Sequence, residues 1–315
     1  MVQAALVSIV QQLFPVAHAW ARASVVCVVV VLGGCADQKL QQAAAFADTV
    51  IVFEDSLPAV VDRALAVAVQ ADSLNRAGPR KFLRREQRKV ALNVAEELLA
   101  ERVKIFQDFK TQGVLLREYF VAVKTLATTD QAIGLSQSMN GVVGRLDKLS
   151  AQIKGAGFSK SGDTIGALID KSVKFTVANI KSGAFRRSLD SHGKIVDRSL
   201  AAQQAFLSAL RAQMTADLKN LRMSKYRIRV VKPFVDDGAL PQDWWKSRLE
   251  FLTAPSDLNA VIAAETAARR VRQAFLALAV NELNVTTLSS IVSELDKIVG
   301  IAEAVKKLHS KEAKP

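Results

Sequence analysis

"KFLRREQRKVALNVAEELLAERVKIFQDFKTQGVLLREYFVAVKTLA", residues 81–127, carries the pattern that decides the fold. Ala91, Val94, Leu98, Ile105, Phe109, Leu116, Phe120 and Val123 recur at steps of three, four and seven. Those steps place them on one face of an α-helix, since the helical repeat is about 3.6 residues. The positions between them are mostly charged or polar, so the segment reads as one long amphipathic helix with Gly113 as its weakest point.

The same reading extends in both directions. Ala, Leu, Val, Gln, Glu and Lys dominate from Ala36 onward, and all but Val are strong helix formers. A first helix is expected over Asp37 to Arg76, kinked or restarted at Pro58, where Asp55 or Ser56 could cap the second half. "NRAGPR", Asn75 to Arg80, ends it. After the 81–126 helix, "TTD" at 128–130 caps a third helix that runs to about Ile153. "KGAGFSKSGD", Lys154 to Asp163, has the composition of a flexible linker. Helix then resumes from Asp163 to about Ser188 and onward to Lys225, with Gly183 and "SHG" at 191–193 as expected breaks. Lys225 to Gln242 is expected to be irregular, because "YRIRVV" at 226–231 is the longest strand-like alternation in the chain. A short helix, Asp243 to Leu252, and a loop, Thr253 to Asp257, precede a last helix from Asp257 to Ser310, open to interruption at Asn281 to Thr287. No repeat of fixed period is present. Long amphipathic helices joined by short loops pack side by side, so the expected body is an all-α, elongated antiparallel bundle of five to seven helices.

The N-terminal stretch bears on location. Ala23 to Leu32 is a run of ten apolar or small residues behind Arg22, followed by Gly33, Gly34, Cys35 and Ala36. A positive flank, a short apolar core and a small-residue zone make a secretory signal. The run falls short of the roughly 20 apolar residues needed to span a bilayer. Leu32-Gly33-Gly34-Cys35 resembles the lipobox of bacterial lipoproteins. That resemblance implies cleavage before Cys35 and diacylglyceryl transfer to its thiol, leaving 35–315 as a lipid-anchored bundle in the cell envelope, facing the periplasm. Ala36 after the cysteine, in place of Asp, implies the outer membrane over the inner by the same resemblance. Residues 1–21 lack Lys and Arg and contain Pro15, a poor leader that points to a start codon assigned too far upstream.

Removing 34 residues takes away Arg22 alone among charged residues and leaves a formal charge of +12, one less than the +13 of the whole chain. Cys27 and Cys35 are the only cysteines, so the mature chain forms no internal disulfide and no cysteine metal site. A basic surface suits anionic headgroups, an anionic polymer or an acidic envelope protein, and export argues against nucleic acid.

No catalytic motif emerges. H-E-x-x-H and G-x-S-x-G are absent, and "GAGFSKSG" at 155–162 fails the phosphate-loop pattern because Lys154 and Ser159 hold its glycine positions. His192 and His309 read as isolated surface residues, and the pairs Glu54/Asp55 and Glu96/Glu97 as polar helix faces. Asp236-Asp237-Gly238 reads as a turn. The expected protein is therefore non-enzymatic, without metal or other cofactor. Two basic segments stand out: Arg80 to Lys89, with six cations and one acid, and Lys219 to Lys232, with six cations and none. From the second, Lys225, Arg227, Arg229 and Lys232 are candidate contacts for an anion or a partner. Trp244 and Trp245 are further candidates, since neighbours on a helix point about 100° apart and one of the two must lean outward. Two roles follow: a scaffold or interaction bundle held by acylated Cys35, or a ligand-binding bundle with an anion pocket lined by Arg227, Arg229 or Lys232.

Overall fold

A computed structural model describes residues 35–77, 84–129, 135–155, 183–235, 240–253 and 258–280, and, beyond these, 282, 283, 286 and 289–293. The signal segment, including Leu32, Gly33 and Gly34, lies outside the described residues. So do most of the 154–163 linker, the 236–238 turn and His309. Seven α-helices are present among the described residues: α1 Cys35–Ala77, α2 Arg85–Thr128, α3 Leu135–Gly155, α4 Gly183–Tyr226, α5 Lys232–Val235, α6 Trp244–Thr253 and α7 Leu258–Ala279. A π-helical turn, Arg227–Val231, joins α4 to α5. No strand occurs among the described residues. The protein is an all-α bundle.

The pairing follows from side-chain contacts. Asp48–Lys124, Asp55–Arg117 and Asp62–Lys110 link α1 to α2 in antiparallel register. Glu118–Arg145 and Gln112–Ser150 set α3 antiparallel to α2. His192–Asn140 and Arg198–Asp147 make α4 parallel to α3, while Arg102–Asp217 makes it antiparallel to α2. α7 returns antiparallel to α4 through Arg211–Glu265 and Arg272–Asp197.

One continuous apolar core fills the space between these helices. Phe46, Phe120 and Phe275, from α1, α2 and α7, meet edge to face with centroids 5.6 and 6.0 Å apart. Phe109 of α2 stacks on Phe206 of α4 at 3.9 Å. Such pairs add about 1 kcal/mol each beyond the area they bury. Every buried apolar residue among those described lies between Ala43 and Ile291, so the chain from Ala36 onward holds the whole of this core.

Several expectations are corrected. α1 does not restart at Pro58, whose missing amide leaves the Glu54 carbonyl without its helical donor, because buried Leu57, Val60 and Val61 hold both sides of the proline in the core. α4 runs through "SHG" because Leu189, His192 and Val196 continue one buried stripe across it; packing overrides propensity. The "YRIRVV" segment is helical, not strand-like. In α2 the outer half of the expected stripe is exposed at Val94 and Leu98, while Phe109, Leu116, Phe120 and Val123 are buried. The last helix is interrupted after Ala279, next to the expected weak point at Asn281 to Thr287, and helical residues return at 286 and 289–293, while 294–315 lie outside the described residues.

Candidate functional site

The two basic segments converge at one pole of the bundle. Ser224 near the end of α4 hydrogen-bonds Asn75 near the end of α1, at 3.2 Å. Arg76 donates to the Ala91 carbonyl, which brings in the start of α2 with Arg85, Arg88 and Lys89. Cys35 begins α1 at the other end. The 40 helical rises from Cys35 to Asn75 amount to about 60 Å of helix.

At this pole α6 folds back on the π turn. The Trp244 indole N–H donates to the Val230 carbonyl at 3.0 Å, and its ring stacks on Phe234 at 5.6 Å. The Arg248 guanidinium lies 4.9 Å above the same ring. The expectation that the adjacent tryptophans divide their roles is met: Trp244 is half-buried and Trp245 is exposed. Arg229 pairs with Glu250 at 3.2 Å. Arg227 and Lys232 are exposed and Lys225 is half-buried; none of the three meets a carboxylate among the described residues.

A groove of about 610 Å³ lies between the end of α4 and α6. Leu218, Leu221, Tyr226 and Phe251 form its apolar floor, and the Tyr226 and Phe251 rings touch at 4.4 Å between centroids. Lys219, Arg222, Lys225 and Arg229 line its rim against one acid, Glu250. Arg222 sits over the Phe251 ring at 5.0 Å and donates to the Phe251 carbonyl. Arg229 and Lys225 are thus brought together, whereas Arg227 and Lys232 lie outside the groove.

A second polar feature escaped the sequence reading. Glu54 is not on a polar face: it is 3% exposed, inside the core, and its Oε2 accepts from the Gln203 side-chain amide at 2.8 Å. The Gln112 amide donates to Ser150 Oγ and to the Ser199 carbonyl, and the two serine hydroxyls are 2.8 Å apart. Glu54 Oε1, Gln112 Oε1 and Gln203 Oε1 are buried without hydrogen-bond partners. A Cβ on Gly113 would lie only 3.0 Å from Glu54 Oε2, so glycine is what lets the carboxyl approach α2. Burial pushes the Glu54 carboxyl well above the usual range, the hydrogen bond from Gln203 opposes this, and the Asp55 charge adds to it. The signal was in the register: position 54 falls among Val50, Phe53, Leu57 and Val61 on the buried stripe of α1.

His192 is likewise buried, correcting its reading as a surface residue. Its Nε2 lies 2.7 Å from Asn140 Oδ1, and burial holds its pKa below the ordinary histidine value. No group of three or more potential metal ligands clusters among the described residues. Nor is any described helix long and apolar enough to cross a membrane. Comparison with family models, curated proteins and solved structures finds no match to this chain.

Proposed function

We propose that this chain is a lipid-anchored protein of the bacterial cell envelope, non-enzymatic, whose bundle serves as a rigid spacer and interaction scaffold. The supporting observation is the polarity of the bundle. The lipobox-like cysteine begins α1, and the basic, aromatic pole lies about 60 Å away along the same uninterrupted helix. Acyl chains on Cys35 would hold one end in a leaflet, each buried methylene adding about 0.8 kcal/mol. The other end would present its cations beyond the headgroups. Palmitate labelling with membrane fractionation tests this reading. The wild type is expected to take label and sediment with membranes, and Cys35→Ser to lose both together. An unlabelled wild type found in the cytosol would refute it.

The groove favours a second reading, a ligand-binding bundle. Its apolar floor and four cations against one carboxylate suit an anionic small molecule or a segment of an anionic cell-wall polymer.

A further inference from the structure

We propose that the pole formed by the π turn, α5 and α6 is a docking surface for an anionic lipid bilayer, separate from the anchor at Cys35. Two properties coincide there. The first is charge: from Lys219 to Leu252 the chain carries eight cations and four acids, and two of those acids, Asp243 and Glu250, are already paired with Lys246 and Arg229. The second is an apolar face turned to solvent. Phe234 is 64% exposed, Val235 70%, Trp245 58% and Leu252 70%. Trp245 and Leu252 are seven residues apart and share one outer face of α6, about 100° round the helix from Phe251, which lines the groove. The stack of Phe234 on Trp244 fastens α5 to α6, so both apolar groups belong to one tip.

A soluble polyanion would satisfy the cations and leave these four side chains in water. An anionic bilayer engages both sets: headgroups pair with Lys225, Arg227 and Lys232, while Trp245 and its neighbours enter the headgroup–acyl boundary. Tryptophan suits that depth, with an apolar ring body and a polar N–H. The groove behind α6 adds further cations, but the outward face, not the groove, favours a surface over a small ligand.

The test uses residues 36–315, which hold the whole described core and lack the acylation site. Their binding to phosphatidylcholine vesicles is compared with binding to vesicles containing equal parts phosphatidylglycerol. Anionic vesicles are expected to bind at least tenfold more tightly, with affinity falling as salt rises. Arg227→Gln/Lys232→Gln is expected to lower that affinity by about twenty-five-fold, near fivefold per cation. Phe234→Ser/Trp245→Ser is expected to weaken binding severalfold while leaving the salt dependence unchanged. All four positions are exposed, and circular dichroism checks that helicity is retained. Equal affinity for both vesicles, no binding to either, or an unaltered charge variant would overturn the proposal. So would binding to polyglutamate without vesicle binding, which would reassign the pole to an acidic macromolecule. None of these outcomes depends on whether Cys35 is acylated.

Discussion

Replacing Glu54 by glutamine should stabilise this protein, and the gain should grow with pH. The carboxyl is buried, its Oε1 has no partner, and Oε2 accepts a hydrogen bond from the Gln203 side-chain amide. Its pKa in the folded protein is raised far above the 4.5 of an unperturbed glutamate. Below that unfolded value both states are protonated, and the group contributes no pH dependence. Above it the unfolded chain releases a proton that the folded chain keeps, so stability falls as pH rises until the folded pKa is reached. The slope in that window is about 1.4 kcal/mol per pH unit. Glutamine matches the carboxyl in shape, carries no charge and does not titrate. The advantage of Glu54→Gln over wild type is therefore expected to widen steadily as pH rises above the unfolded value, and to stop widening once the folded pKa is reached. Urea unfolding of both proteins at several pH values measures it, and the comparison cancels every other titrating group. A plateau in the difference marks the folded pKa directly. A constant offset from pH 5 to pH 8 would falsify the reasoning, because it would mean Glu54 is ionised inside the core.

The Arg272–Asp197 pair joins α7 to α4 through two hydrogen bonds of 2.7 and 3.2 Å, with both side chains largely buried. Arg272→Ala strands the carboxylate and is expected to destabilise by about 3–5 kcal/mol in denaturant unfolding, whereas Asp197→Leu/Arg272→Met recovers most of that loss. A single-variant effect under about 1 kcal/mol would show that water already relieves the pair. His192 should produce the opposite pH signature to Glu54. Its folded pKa is depressed by burial, so its contribution is intact above the 6.5 of a free histidine and declines as pH falls toward the folded value. His192→Gln should remove that part of the acid sensitivity, seen as a flatter melting-temperature profile below pH 6.5; an unchanged profile would count against a buried neutral imidazole.

Much of the bundle was legible in the chain because helices announce themselves locally. The stripe through Phe109, Leu116, Phe120 and Val123 needs only a 3.6-residue period to be read, and the core confirms that half of it. Val94 and Leu98 obey the same period and are exposed, since a periodic pattern states which face is apolar but not whether a neighbour covers it. Glu54 and His192 illustrate the converse. Each sits at a buried register position, but its type suggested water, and only the helices packed around it decide what a buried polar group can pair with.

Composition and periodicity by themselves determined an all-α body, the net positive charge and the two basic segments, because these depend on residues close in sequence. The tertiary structure decided what depends on distant ones. It carried α1 through Pro58 and α4 through Ser191–Gly193, because burial on both sides of a weak point outweighs local propensity. It also gathered cations more than 130 residues apart at one pole and set Cys35 at the other, since the direction in which each helix runs is fixed only by the partners against which it packs.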